Sequence, residues 1–241
     1  MAQALRTFDT AINDVYKLTR DEFARRRTDL IFAKYVVPLS TAPKPGFAIF
    51  YNPPTFQPPL LIIGLNPANF APGDSLKTFP NKEMLCGKPP TANSYLDHTH
   101  LFAKALQVGF AGQKALFKAT RGMNLWFFQS SSDAAKAPRE LREFCSERTK
   151  DLVKIVKPEM ILCLSSHAFA SLTKGVANYP VSGATKARFA DVNGTRIWYS
   201  YHPTASRIAI RAVGVADLPI VVANIAAARK NRVKKVLASG S

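Results

Sequence analysis

Residues 137 to 175 constrain the fold more than any other stretch. In "APRELREFCSERTKDLVKIVKP" the apolar residues Leu141, Cys145, Leu152 and Ile155 recur near one face of a helix, and Pro138 suits its first turn. "EMILCLSS" follows as a short buried strand, and "HAFASLTKGV" as a second helix with Gly175 near its C-cap. Strands separated by helices imply an open α/β sheet covered on both faces. The expected fold is therefore a three-layer αβα arrangement around a central, mostly parallel sheet of four to five strands.

The remaining segments fit that plan. "FDTAINDVYKLTRDEFARRR" predicts an amphipathic helix with Phe8, Ile12, Val15, Tyr16 and Leu18 inward. "GFAIFY" (46 to 51) and "LLIIG" (60 to 64) predict strands, and "GMNLWFF" (122 to 128) a further one before the polar loop "QSSSD". "YLDHTHLFAKALQVGF" has helical texture. "KARFADVNGTRIWYSYHP" predicts a hairpin turning at Asn193-Gly194. "DLPIVVANIAAARKNRVKKVL" predicts a last helix, apolar then basic. Residues 68 to 94 form a long Pro-, Gly- and Lys-rich segment, the kind usually kept as a working loop or left without order. One domain over 1 to 241 is expected, with residues 1 to 40 as an N-terminal helical extension.

Charge narrows the partner. Lys+Arg 33 against Asp+Glu 16 gives a formal +17 and a pI near 10.0, which favours a polyanion through counterion release. No uninterrupted apolar run reaches the roughly 18 residues of a membrane span, and the N-terminus lacks the pattern of a secretion signal. A cytoplasmic monomer without membrane attachment, associated with the nucleoid in a bacterium, is the expectation. Cys86, Cys145 and Cys163 include no CxxC pair, so neither a zinc ribbon nor an iron–sulfur cluster is indicated. GxGxxG, a P-loop, GxSxG and HExxH are all missing. His98 and His100, two apart, would face different sides of a helix. No metal and no cofactor are expected.

In open α/β sheets ligands sit beyond the carboxyl ends of the strands. Three such ends carry polar residues: "GLNPA" (64 to 68), "MNLWFFQSSS" (123 to 132) and "YSYHPTASR" (199 to 207). Pro67 and Pro203 each stiffen the turn that aims the preceding side chain. Alone, Asn66 or His202 reads as a loop residue. In this order, with Asn124 between them, they resemble the uracil-DNA glycosylase superfamily. "GLNPA" is similar to the family's first motif in its G-x-N-P form, as in the mismatch-specific and single-strand-selective branches. "HPTAS" is similar to the second motif, and "MNLWFF" to the strand whose asparagine reads the pyrimidine. The helix, Lys-Pro, strand and helix from "LREFC" to "FASL" also resemble the family, so the likeness spans about residues 60 to 210.

That resemblance implies a uracil-DNA glycosylase-like fold and a monofunctional enzyme that releases uracil from single- or double-stranded DNA and leaves an abasic site. Asn66 would hold the attacking water, since an amide is no general base near neutral pH. His202 would donate a hydrogen bond to the departing uracil O2. Asn124 would match O4 and N3–H of the base. Gly64, Leu65 and Ala68 would line the base, and Phe79, or Phe70 in its place, would stack on it; core packing is the alternative for either ring. Ser165, Ser166, Thr204, Ser206 and Arg207 would meet DNA, although Ser165 and Ser166 also suit a helix N-cap. Lys77, Lys82, Lys88 and Arg211 could flank the strand.

Departures from the family pattern leave room. Ala68 stands where a bulky residue would exclude thymine, so a mismatch or deaminated-purine glycosylase is one alternative. Ser206 and Arg207 stand where many relatives wedge a leucine into the duplex. A catalytically silent DNA-binding module is the alternative from another class.

Overall fold

The computed structural model describes residues 2–26, 29, 47–65, 89–91, 101–128, 137–205 and 207–239. Within them the helices are α1 (Ala2–Arg25), α2 (Leu101–Gly109), α3 (Lys114–Ala119), α4 (Arg139–Val156), α5 (Ser166–Thr173) and α6 (Ile208–Ser239). The strands are β1 (Leu61–Gly64), β2 (Arg121–Asn124), β3 (Met160–Cys163), β4 (Tyr179–Pro180), β5 (Arg188–Val192) and β6 (Thr195–Tyr199). They form one six-stranded sheet in the order β2-β1-β3-β6-β5-β4.

The first four strands of that order run parallel, with Ile63 level with both Met123 and Cys163, and Cys163 level with Tyr199. β5 and β4 add antiparallel neighbours. The sheet is therefore larger than the four to five strands expected, and mixed. Asn193 and Gly194 both take positive φ (49° and 78°), which closes the predicted hairpin and turns β5 back along β6. β4 is a two-residue addition too short to leave a periodic trace.

Alternation along the strands sorts the core into two layers. Leu61, Ile63, Ile161, Cys163 and Ile197 face α1, α4 and α5, while Leu60, Ile62, Leu162 and Trp198 face α2, α3 and α6. Burying one such aliphatic side chain contributes about 1.5–3 kcal/mol. α1 is part of this core rather than an appendage: Phe8, Ile12, Val15 and Tyr16 are buried on the first layer. Leu18, expected inward, is 50% exposed, because it lies off the stripe that meets α4.

Three further expectations change. Residues 47 to 50 form no strand but two isolated antiparallel bridges, Phe47 with Phe128 and Phe50 with Met123. Their backbone still serves the outer edge of β2. Tyr51 N–H donates to Gly122 O (2.8 Å), Asn124 N–H to Ile49 O (2.8 Å), and Ala48 N–H to Phe127 O (2.8 Å). β2 itself ends at Asn124, so "LWFF" leaves the sheet. The last helix begins at Ile208, well before Asp217, and continues through Pro219.

By length and composition an 18-residue stretch within Ile208–Lys234, with at most two charges, would suffice to cross a membrane. Here its Leu218, Val221, Val222 and Ile225 are buried against the second layer. Buried Asp217 accepts the N–H groups of Thr185 (2.8 Å) and Lys186 (2.9 Å), tying the helix to the loop before β5.

Candidate functional site at the carboxyl ends of the strands

The parallel strands end together, so β1, β2 and β6 deliver their last residues to one rim. Gly64 lies level with Asn124, and Leu125 N–H donates to Gly64 O (2.9 Å). Trp126 N–H then donates to Leu65 O (2.8 Å), extending the pairing past the strand end. Buried Thr149 of α4 donates its hydroxyl to Leu125 O (2.9 Å) and secures the same turn from below.

Asn124 is fully buried, and its amide is oriented from both ends. Nδ2 donates to Ala48 O (2.9 Å), and Oδ1 accepts the Tyr51 hydroxyl. A carboxamide has two N–H donors and two acceptor lone pairs, so one of each is left over among the described residues. Gly64 leaves room beside this pair: a Cβ there would lie 3.1 Å from the Tyr51 hydroxyl oxygen, which would have to shift by a few tenths of an ångström. Tyr16 of α1 supports the arrangement indirectly, since its hydroxyl accepts the Phe50 N–H (3.4 Å) from the segment that carries Ala48.

His202 follows β6 by three residues. Its ring stacks on Phe102 of α2, with centroids 4.7 Å apart and planes 22° apart. Phe102 in turn meets the Tyr51 ring at 6.1 Å, so an aromatic series joins the histidine to the asparagine. Nδ1 of His202 accepts the Thr204 N–H (3.2 Å) and lies 3.0 Å from Thr204 Oγ1. An acceptor at Nδ1 places the proton of the neutral ring on Nε2. Though some of its surface is open, the ring is desolvated enough that burial pulls its pKa down to about 4. His202 is therefore a neutral imidazole at physiological pH, with Nε2–H as a fixed donor.

The backbone under His202 is seated on α6. At Gly214 a Cβ would fall 2.7 Å from Tyr201 O and 2.9 Å from His202 O, so only glycine lets the helix come this close.

Of the other expected residues, Ser165 is the N-cap of α5, its hydroxyl accepting the N–H groups of His167 (3.2 Å) and Ala168 (3.5 Å). Ser166 and Arg207 are exposed, and Leu65 packs at the edge of the first layer. Thr204, expected to meet phosphate, braces His202. Asn66, Ala68, Phe70, Phe79 and Ser206, with Lys77, Lys82, Lys88, His98 and His100, lie outside the described residues. Among the described residues no three His, Cys, Asp or Glu side chains group as metal ligands. Cys145 and Cys163 are buried free thiols, and burial pushes Cys145 up to about 12.

Tyr51, Phe102, Thr149 and Gly214 were not expected at the site. None of them stood out in the sequence; Gly214 lies before the start expected for the last helix. Comparison of the chain with protein-family models and with curated proteins finds no match.

Proposed function

We propose that the chain is a monofunctional uracil-DNA glycosylase of three-layer, uracil-DNA glycosylase-like fold, acting on uracil in DNA. The observation that carries this reading is His202, held neutral with its Nε2–H free to donate, on the same rim as the oriented amide of Asn124. Hydrolysis breaks the bond between C1′ and N1, and the electron pair leaves with uracil. Water adds at C1′ and gives up a proton to the base or to solvent. Charge builds on uracil O2, and a neutral Nε2–H donor stabilises it without presenting a cation to the sugar, which is itself becoming positive. One such donor is worth about 3 kcal/mol. Asn66, two residues past Gly64, would hold the water in line. The remaining N–H and lone pair of Asn124 suit O4 and N3–H of uracil. The sequence places no lysine in either motif for a Schiff base, so the abasic strand stays intact.

The test is incubation with single- and double-stranded oligonucleotides containing uracil, thymine mispairs, hypoxanthine or xanthine, followed by alkali. Uracil-dependent cleavage is expected, and His202→Ala should slow it about a hundredfold. No base release from any substrate would overturn the reading. Complete burial of Asn124 favours a second reading, a silent DNA-binding module in which the amide is purely structural. It predicts salt-sensitive DNA binding with no base released.

A further inference from the structure

At the opposite, amino-terminal edge of the parallel strands lies a cavity of about 490 Å³, within the roughly 300–1,000 Å³ usual for small-molecule sites. It opens between the end of α4, the β5–β6 turn and α6. Its floor is aliphatic: Val153, Ile161, Leu172, Val192 and Ile197. Its rim is cationic. Lys150 and Lys154 sit at i and i+4 on one side of α4, Lys157 caps its C-terminus, and Arg232 of α6 joins them.

Among the described residues no carboxylate lines the cavity. Lys154 reaches Asp151 only at 4.0 Å, and Asp151 is held more closely by Arg148 (3.1 Å). An adjoining recess shares Arg232 and does contain carboxylates, but both are engaged: Glu159 by Arg229 (3.0 Å) and Asp191 by Arg196 (2.7 Å). Positive charge is thus concentrated on one side of Arg232.

A second, independent observation marks the same place. Among the described residues three non-glycine residues have positive φ: Gln57 (51°), Lys157 (50°) and Asn193 (49°). All three line this cavity. Asparagine is ordinary at a hairpin turn. Gln57 and Lys157 have no such preference, and glycine is the usual residue where a helix ends in the left-handed conformation. Unfavourable backbone conformations concentrate where a side chain is required for function. Lys157 does lie 5.9 Å over the Phe56 ring, a contact that costs the lysine none of its charge.

We propose that this cavity binds a phosphorylated small molecule of nucleotide size. Its phosphate would be held by Lys150, Lys154, Lys157 and Arg232, and its planar body would rest on the half-buried Val153, Leu172 and Val192. A concave site with an aliphatic floor fits a compact organic phosphate better than the backbone of a duplex, which needs an extended surface. The inference does not depend on glycosylase activity, and the two can fail separately.

The test is calorimetric titration of the full chain with AMP, adenosine and inorganic phosphate at low salt. AMP should bind about tenfold more tightly than inorganic phosphate, and adenosine more weakly than AMP, because both ends of the ligand contribute. The double variant Lys150→Glu, Lys154→Glu alters two exposed side chains and should lower AMP affinity about tenfold with the melting temperature unchanged. Lys157→Gly should lower affinity while the melting temperature holds or rises, because glycine accepts the left-handed backbone. Equal binding of AMP and inorganic phosphate would mean only a diffuse ion atmosphere, and would overturn the proposal. So would AMP affinity indifferent to the lysine substitutions, or a Lys157→Gly variant that loses stability but not affinity.

Discussion

At the scale of single residues, the site turns on how two side chains are held rather than on which they are. His202 owes its neutral state to burial and its tautomer to the Thr204 N–H. The consequence for pH has a definite sign. Folding lowers the imidazole from 6.5 to about 4, so between those values the unfolded chain binds the proton that the folded chain refuses. Stability contributed by His202 is complete above about pH 6.5 and is lost as the pH falls toward 4. Denaturant unfolding at a series of pH values should show this slope, and His202→Gln should reduce it. In an NMR titration the ring should stay neutral down to about pH 5; protonation near 6.5 would show that the ring is solvated. Asn124 and His202 were both legible in the sequence as polar residues at strand ends. Their partners were not: Tyr51 and Phe102 reach the site only through tertiary packing, and an aromatic residue in a sequence gives no sign of whether it stacks on a ligand, a histidine or the core.

At the scale of elements, α6 decides where His202 sits. The contact is backbone to backbone, through Gly214, and Asp217 fixes the same helix to the loop before β5. Gly214→Ala would place a methyl group within 2.9 Å of both Tyr201 O and His202 O, so the helix or the histidine segment must move. Alanine itself favours helix over glycine by about 1 kcal/mol, which offsets part of the loss in stability. On the proposed activity, the expected outcome is base release reduced more than melting temperature, read by assaying both on the same preparation. Elements defined by a local repeat were legible: α4, β3, α5 and the Asn193-Gly194 hairpin lie where periodicity and turn chemistry put them. Those that depend on distant partners were not. Residues 47 to 50 have the composition of a strand, yet they contribute only bridges because β2 is short and its chain leaves the sheet at Leu125.

At the scale of the whole molecule, the formal charge of +17 governs encounter with any polyanion. If about six phosphates are neutralised, DNA affinity should fall roughly a thousandfold between 50 and 200 mM salt. Fluorescence anisotropy with a labelled oligonucleotide measures this directly, and an affinity indifferent to salt would remove nucleic acid as the partner of the charge.

The borders of the sheet have a consequence of their own. Beyond β2, the N–H and C=O groups that would face outward already pair with residues 48 to 52. At the far side β4 is only Tyr179–Pro180, and proline has no N–H to offer. Among the described residues the β2 border is thus covered, and the other leaves a second chain only the short outer stretch of β5 past Phe189 on which to continue the sheet. Growth of fibrils by strand addition from the folded state therefore has three residues of one edge to start from, too few to template a stable ladder, so this protein should withstand high concentration without readily seeding its own polymer.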